Sequence, residues 1–345
     1  MYFVLYDRHL NSIGETYLLE SWSRVQRAVD FDDLRIVGEQ IPYSAEPYLV
    51  VVNDNRGKLK FSGLASTPII DNRLKKTTIS LKDYTTLFNT DVVINWGDFK
   101  GSSLQEYLEF LMDIWYRQYH TGLDARIEWN LEDLEEILLD TDLVLPQNIE
   151  SVLFYDIISS AISYYNIWCR VDLDIYNKRV IFVFRKSGVH RSSLRLSDFD
   201  VNTIEKSFGD YNLVTILNSN YTVFQKWVLT KNNNVRLLEN TSESEKPYPL
   251  KNRNYVAEEE DNIYDIVYDA VINLAQNRYQ ENIDLNAQQY KSIVDLTSVD
   301  FSWDVDVYTE EGFYKTLPVG EIETDSSGKH IVRLGYRIQE LTQEL

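Results

Sequence analysis

Apolar residues over the first hundred positions occur in short runs between polar residues, a pattern typical of β-strands. The first run covers residues 2–6 and is followed by a polar hinge at residues 7–11. Residues 48–52 and 59–61 flank an Asn-Asp-Asn-Arg-Gly loop, which predicts a hairpin. Further strands are predicted at residues 34–37, 77–81 and 91–96. Because almost no helical signal interrupts these strands, the segment predicts a small barrel or sandwich.

The pattern changes after Gly97, where apolar residues recur at helical spacing. Ser103 and Glu106 have the spacing of a capping box, which predicts that a helix starts there. The apolar stripe of this helix consists of Leu104, Tyr107, Leu108, Leu111 and Trp115. The acidic segment that follows, residues 127–146, is compatible with a solvated helix or a long loop.

Residues 151–185 have the pattern of one helix followed by one hairpin. The helix is predicted to end near Asn166, from the spacing of Val152, Leu153, Asp156, Ile157 and Ala161. Two strands, residues 167–175 and 179–184, follow around a turn at residues 176–178. Because such a unit cannot bury both of its faces alone, we combine it with the Ser103 helix in an α/β middle domain, residues 99–199.

From residue 200 the strand pattern returns, with paired strands predicted within residues 201–219 and 220–231. The polar residues 240–254 predict a loop or mobile segment. A helix is predicted next, with an apolar stripe of Ile263, Ile266, Val267, Ala270, Val271 and Leu274. Strands follow again to the end, the last two separated by a turn at residues 325–328.

The total charge limits the possible functions. The 345 residues include 34 basic and 54 acidic side chains, a formal net charge of −20. Such a surface repels nucleic acid, which excludes proteins that grip DNA or RNA through phosphate contacts. Solubility is the simplest explanation of this charge. The sharper interpretation is a protein that tolerates nucleic acid nearby without binding it.

The composition further narrows the class of protein. A hydrophobic fraction of 44% excludes a disordered chain, and the length suits two or three packed units. No uninterrupted apolar run is long enough to span a bilayer, and the N-terminus lacks the basic region of a signal peptide. Cys169 is the only cysteine, so no internal disulfide and no cysteine-based metal site are expected. We therefore expect synthesis in a reducing cytoplasm.

A search for catalytic motifs is largely negative. The four histidines, His9, His120, His190 and His330, are far apart, and metal ligation needs several that converge. No phosphate-binding glycine loop, nucleophile elbow or zinc-binding His-Glu-x-x-His motif is present. No catalytic, cofactor-binding or metal-ligating residue is therefore assigned, and no cofactor is expected.

Two carboxylate pairs, Asp172 with Asp174 and Asp304 with Asp306, are the best remaining candidates for chemistry. Residues two apart on a strand point to one face, so each pair could hold a cation or flank a sugar. Their neighbours in each alternation are apolar, which favours a strand with one solvated face. Cys169 lies near a strand start, where a core position is the favoured interpretation.

The aromatic content is high, with 24 Tyr, 14 Phe and 7 Trp, which suits strand-rich folds and interfaces. Five of these residues lie on predicted elements, at sequence spacings that suit packing: Tyr116, Tyr119, Tyr164, Tyr165 and Trp168. A core or subunit interface is the default for them, and a sugar-stacking platform is the alternative.

The opening stretch, YFVLYDRHLNSIGETYLLESWSRVQRAVDFDDLRIVG, resembles the start of tail-tip hub proteins of long-tailed bacteriophages. These are the N-terminal structural modules of tail-associated lysins, related in fold to the contractile-phage baseplate hub. The likeness lies in Tyr6-Asp7 at the end of a strand, Ile13-Gly14 after a hinge, and strands at residues 19–25 and 30–37. It continues through the hairpin to TTISLKDYTTLFN, and residues 151–185 resemble the middle domain of that family.

The resemblance implies a mostly β, α+β chain with two small β-barrel-like domains and an inserted α/β domain. The implied limits are 1–98 with 200–245, 99–199, and 246–345. It also implies a homotrimeric ring that caps the tail tube and gates DNA passage. The implied partners are the distal tail protein, the tape-measure protein and receptor-binding proteins, in a virion assembled in the host cytoplasm.

Many relatives continue into a cell-wall hydrolase, whereas this chain stops at Leu345 after a strand pattern, so we expect no enzymatic activity. Two other classes of function stay open. A carbohydrate-binding or adhesin-type module is favoured by the aromatic residues. A glycoside hydrolase that uses an Asp or Glu pair is the third candidate.

Overall fold

The computed structural model describes residues 2–18, 20–28, 32–39, 49–53, 59–65, 69–119, 123–132, 134–139, 149–199, 201–207, 209–231, 234–259, 261–277, 280–286 and 299–335. Strands dominate these ranges, and three α-helices accompany them. The predicted class, a mostly β α+β fold, is confirmed.

The N-terminal unit is an antiparallel sheet with the order β3-β4-β8-β6-β5-β1-β2, and β7 pairs with β8. Its strands are β1 (Tyr2–Tyr6), β2 (Ser12–Leu18), β3 (Ser21–Arg27), β4 (Asp33–Glu39), β5 (Leu49–Asn53), β6 (Leu59–Ala65), β7 (Ile69–Asp71) and β8 (Lys76–Lys82). The predicted hairpin is confirmed as β5–β6, although its loop lies outside the described residues. Thr77, Ile79 and Leu81 alternate along β8 and are buried, since one face of the sheet covers the core.

The middle unit contains two helices and two small sheets. Its elements are β9 (Asp91–Asn95), α1 (Leu104–Gln118), β10 (Arg126–Asn130), β11 (Ile149–Leu153), α2 (Phe154–Tyr165), β12 (Ile167–Asp174) and β13 (Arg179–Lys186). The predicted capping box is confirmed, because Ser103 and Glu106 each bond to the other's backbone at the start of α1. All five stripe residues of α1 are buried. The predicted hairpin is confirmed as β12–β13, and β10 joins β13 in parallel.

Two predictions for the middle unit were wrong in detail. Val152 and Leu153 belong to β11 rather than to the helix, which starts at Phe154. Pairing with β9 competes with the helix at these residues, and Val152 lies opposite Val92. The acidic segment begins with strand β10 and continues in turns that bury Leu131 and Leu134. Residues 133 and 140–146 of that segment lie outside the described residues.

The next part of the chain forms a second α/β unit. Two strands that pair elsewhere come before it, β14 (His190–Arg195) and β15 (Val201–Ser207). The elements of the unit itself are β16 (Leu213–Leu217), β17 (Val223–Leu229), β18 (Val235–Leu237), β19 (Asn252–Val256) and α3 (Ile263–Gln276). The sheet order is β18-β17-β16-β19, with β19 parallel to β16. The α3 stripe packs on this sheet, and Val214, Ile216 and Trp227 are fully buried against it.

The C-terminal strands are β20 (Gln280–Asn286), β21 (Trp303–Thr309), β22 (Gly312–Asp325) and β23 (His330–Leu334). The predicted turn at residues 325–328 is confirmed between β22 and β23. β22 is long enough to pair with β21 through its first half and with β23 and β3 through its second half. The same sheet therefore continues from the C-terminal strands into the N-terminal unit.

The strand pairing differs from the predicted grouping of segments. Residues 213–256 form one packed unit with α3, whereas the prediction divided them between 1–98 with 200–245 and 246–345. β15 pairs with β20, and β14 pairs in parallel with β21. The apolar pattern of a strand specifies its buried face but leaves its neighbouring strand undefined, so these partners were not foreseen. The domain limits themselves stay a prediction.

Candidate functional site

The N-terminal and C-terminal strands meet where β3 pairs with β22, a contact that we call the β3–β22 junction. Arg27 lies opposite Glu321 and Ser23 lies opposite Asp325, so residues about 300 positions apart are neighbours in one sheet. Ala28 extends the junction, since its N–H donates to the carbonyl oxygen of Gly320 at 3.0 Å and its side chain is buried in the C-terminal core. The N-terminal and C-terminal strands are therefore hydrogen-bonded parts of one sheet.

A network of ion pairs crosses the β3–β22 junction. Arg27 contacts Asp33 at 2.7 Å and Glu321 at 3.3 Å. Arg333 on β23 also contacts Glu321, as well as Glu323 and Asp284, each of the latter two at 3.3 Å. These side chains are mostly less than one third exposed, so the attraction between them is screened less than in an exposed pair.

We expect Arg333→Gln to lower the free energy of unfolding by about 1–3 kcal/mol, because three partly buried carboxylates then lose their shared cation. The measurement is urea denaturation followed by circular dichroism. Arg117→Gln is the control, because Arg117 forms an exposed pair with Asp113 on α1, and we expect a change below about 0.5 kcal/mol. Equal effects of the two substitutions would show that the network is dispensable.

A buried carboxyl pair lies at the exit from the N-terminal sheet. The Asp83 N–H donates to the carbonyl oxygen of Asp32 at 3.1 Å, which brings the two residues together. Burial, reinforced by the nearby Asp32, raises the pKa of Asp83 to about 8. Arg24 contacts the Asp32 carboxylate at 3.3 Å, and Thr85 donates its backbone N–H to Asp83 at 3.0 Å. The pair therefore holds a proton at neutral pH.

Asp83 also connects two cores. It caps a short 3-10 turn, Tyr84–Phe88, whose Tyr84 and Phe88 are buried in the middle core. Cys169 packs against the same core, and burial, together with Asp83 and Asp32, raises the pKa of its thiol. A thiol held protonated in this way is a poor nucleophile.

Asp172 and Asp174 lie on β12, an outer strand of its sheet, and each forms an ion pair with an arginine. Asp172 contacts Arg170 at 3.2 Å. Asp174 accepts a hydrogen bond from the Asn177 side chain at 2.7 Å and contacts Arg179 at 2.8 Å, which lowers its pKa to about 2. A general acid needs a raised pKa, so this pair lacks the electrostatics of a glycosidase site.

Asp304 and Asp306 lie on β21 beside β14. Arg191 donates two hydrogen bonds to Asp306, both at 2.9 Å, and these bonds lower the pKa of Asp306. Partial burial raises the pKa of Asp304. Asp304 also lies beside Gly188, where an added Cβ would come within 2.5 Å of its carboxylate. Opposite pKa shifts are a feature of catalytic acid/base pairs. In this pair, however, the ion pair with Arg191 causes the lowered pKa of Asp306.

The histidines are not brought together. His9 contacts Asp124 at 3.4 Å in the turn after β1, and His190 packs on Trp303 with ring centroids 5.7 Å apart. His330 starts β23, and His120 lies outside the described residues. No group of three or more His, Cys, Asp or Glu residues in the described ranges could hold a metal ion. Across those same ranges, no helix has the length and apolar character needed to span a membrane.

The aromatic residues mostly build the cores. All seven tryptophans are buried or half-buried, and Trp168 packs with Phe301 in the C-terminal core. Tyr119 and Tyr165 pack against the middle core and Tyr164 against the core around α3, whereas Tyr116 is 46% exposed. A sugar-binding platform would need exposed rings, which these tryptophans do not offer.

Comparison with solved structures identifies the fold. A prophage MuSo2 43 kDa tail protein from Shewanella oneidensis superposes with a TM-score of 0.55 at 12% identity, over 98% of both chains. Prophage tail protein gp18 from Listeria monocytogenes gives 0.53 at 12% identity, over 98% of this chain and 95% of that one. A chain of the p2 virion baseplate in its activated conformation gives 0.53 at 10% identity, over 97% and 98%.

The chain has the fold of phage tail and baseplate proteins. The likeness extends over nearly the whole of each chain, so it covers all four packed cores rather than one unit. No protein-family model and no curated protein sequence matches the chain. The baseplate-hub-like fold expected from the resemblance is confirmed.

Two features of the structure had no signal in the sequence pattern. The Asp32–Asp83 pair joins residues about 50 positions apart, and each aspartate alone looks like an ordinary residue at a strand end. The network around Arg333 depends on the pairing of β23 with β20, and its link to Arg27 depends on the pairing of β22 with β3; the pattern predicted neither pairing.

Proposed function

We propose that this protein is a structural hub of a long-tailed bacteriophage tail tip or baseplate. The observation that supports this most is the likeness in fold, over nearly the whole chain, to prophage tail proteins and to a chain of an activated virion baseplate. In this proposal the protein is a virion component that assembles in the host cytoplasm. Its partners are the distal tail protein, the tape-measure protein and receptor-binding proteins.

The hub acts as a homotrimer in a ring. Support comes from the open sheet, whose end strands β2 and β15 each pair with one neighbour in the part of the chain that the structure describes. Unpaired strand edges favour association with another chain, and head-to-tail copies remove edges when the ring closes. A closed ring is also the geometry that can surround a channel.

The net charge supports a role in which the protein surrounds DNA without binding it. Three copies have a net charge of about −60, three times the −20 of one chain. A lumen with acidic walls repels the phosphate backbone, so the genome passes without binding. In this role the ring caps the tail tube and gates passage during ejection.

The proposed hub is a structural protein without enzymatic activity. The carboxylates that looked most suitable for catalysis are ion-pair partners: Asp174 is held by Arg179 and Asp306 by Arg191. In the described residues, these contacts account for their pKa shifts without a substrate.

The mass of the purified protein tests the proposal. We expect light scattering after gel filtration to give about 120 kDa, for three copies of the 40.5 kDa chain. A 40.5 kDa monomer at all concentrations would contradict the hub. Retardation of that monomer on polysaccharide gels would favour the carbohydrate-binding module, and release of reducing sugar from cell walls would favour a hydrolase.

A further inference from the structure

A short hairpin projects from the N-terminal sheet. β7 and β8 are joined by a four-residue turn at residues 72–75, and β7 pairs with β8 alone in the described ranges. The Asp71 side chain accepts hydrogen bonds from the backbone N–H groups of Arg73, at 2.9 Å, and of Leu74, at 3.0 Å. These bonds constrain the backbone of the turn. We call residues 69–75 the hairpin tip.

The hairpin tip is unusually apolar for an exposed turn. Ile69 is 70% exposed, Leu74 is 58% exposed and Ile70 is 38% exposed. Single exposed apolar residues are normal on protein surfaces, but three within six positions form a patch. Such residues are buried when a second molecule binds.

The hairpin tip is also basic. Arg73 and Lys75 are exposed and form no ion pair with the described residues. Lys76, at the start of β8, contacts Glu20 at 2.6 Å. The one acidic residue of the tip, Asp71, already accepts two backbone hydrogen bonds through one of its carboxylate oxygens. Two cations without an ion-pair partner among the described residues therefore flank Leu74, on a chain whose net charge is −20.

We propose that the hairpin tip docks against an acidic surface of a second copy of this chain. The inference rests on the proposed homotrimer and names one surface through which its subunits meet. The complementarity of charge selects this occupant, because the excess of acidic residues makes the surface of a second copy attractive to Arg73 and Lys75. Ile69 and Leu74 are the apolar anchors, and the two cations form the rim of the contact.

The arrangement also explains why a basic tip persists on an acidic protein. Subunits with a charge of −20 repel each other at long range, so self-association needs a local region of opposite sign. The tip supplies that region at the exposed turn between β7 and β8. The attraction is electrostatic at a partly solvated rim, so it weakens as salt is added.

The test compares two doubly substituted proteins with the same change of charge. Arg73→Glu with Lys75→Glu reverses the tip, and Arg195→Glu with Lys226→Glu reverses two exposed basic residues that form no ion pair in the described part of the chain. Sedimentation equilibrium measures the dissociation constant of the oligomer. We expect the tip variant to dissociate at least about tenfold more readily, because like charges then face each other. The control variant should dissociate much like the unchanged protein.

A second pair of variants tests the apolar anchors. Ile69→Ser with Leu74→Ser should also weaken the oligomer, whereas Val189→Ser, at a side chain 62% exposed on another loop, should leave it intact. Thermal unfolding of the dissociated monomer, measured at low protein concentration, should be nearly unchanged in every variant, because the substituted side chains are exposed in one chain. Leu74→p-benzoylphenylalanine then provides a direct readout, since irradiation should join two chains covalently at an acidic peptide.

The outcomes separate this inference from the proposed function. An unchanged protein that is monomeric at every concentration overturns the trimer and the docking together. A stable trimer whose tip variants dissociate no more readily than the controls overturns the docking alone. Irradiation of such a trimer without a two-chain product also overturns it. Selective weakening by both tip variants, with a cross-link from position 74 to a second copy, supports the inference.

Discussion

Replacing Trp115 with alanine is expected to lower the free energy of unfolding by about 3–5 kcal/mol, the cost of an unfilled cavity in a core. Trp115 is fully buried on α1 and lies at the centre of an aromatic cluster. Its ring centroid is 5.1 Å from that of Phe88, 5.7 Å from that of Phe182 and 5.8 Å from that of Phe154. These rings come from four separate elements, so the cavity would loosen the whole middle unit.

The adjacent residue supplies the control for Trp115. Tyr116→Ala removes an aromatic side chain that is 46% exposed and contacts the Trp129 ring edge-on at 6.0 Å, so we expect a loss below about 1 kcal/mol. Trp115→Phe should cost less than Trp115→Ala, because it keeps most of the volume and removes an indole N–H that has no acceptor among the described residues. Urea denaturation, followed by spectroscopy at several wavelengths, measures the free energy of unfolding of each variant. Similar losses for Trp115→Ala and Tyr116→Ala would contradict the assigned core.

Asp83→Asn is expected to stabilise the protein by about 2–4 kcal/mol at pH 8, because asparagine is a neutral isostere of the protonated carboxyl. The raised pKa, about 8, means that the folded state of the unchanged protein holds a proton that the unfolded state releases near its ordinary value of 3.8. The folded protein therefore binds more protons than the unfolded one between these two values. Its stability falls as pH rises from about 4 to about 8 and is level above that range.

The measurement is the free energy of unfolding from pH 5 to pH 9 for three proteins. The unchanged protein should lose stability over this range through Asp83, whereas Asp83→Asn should remove that part of the slope. Asp91→Asn, at an exposed aspartate on β9, should keep the slope of the unchanged protein. Burial and the nearby Asp32 raise the pKa of Asp83, the hydrogen bonds from Thr85 oppose that shift, and Arg24 acts on Asp32. A slope unaffected by Asp83→Asn would show that Asp83 is ionised at neutral pH.

Both predictions concern the connection between the N-terminal sheet and the middle unit. Asp83 caps the short turn that places Phe88 in the middle core, where its ring meets Trp115 edge-on. A change at either residue is therefore felt in both units. Because the β3–β22 junction joins the same sheet to the C-terminal strands, the chain has few independent parts.

Local elements were predictable from the sequence because their signals lie within a few neighbouring residues. Ser103 and Glu106, which are three residues apart, form the capping box that predicted the start of α1. The apolar stripe of α3 has the helical period. The hairpins β5–β6, β12–β13 and β22–β23 are formed by strands adjacent in sequence, each pair separated by polar or glycine-containing turns. The absence of catalytic motifs likewise directed attention to a structural role.

The sequence alone determined the helices, the hairpins and the buried faces of the strands. It also determined an acidic surface that is unsuited to binding nucleic acid. The tertiary structure decided which strands are neighbours: β9 with β11, β14 with β21, and β3 with β22. A period of two tells which side chains are buried, but the hydrogen-bonding edge of a strand is the same for every partner. The Asp32–Asp83 pair likewise follows from the pairing of β4 with β8, and the Arg333 network from the position of β23 between β20 and β22.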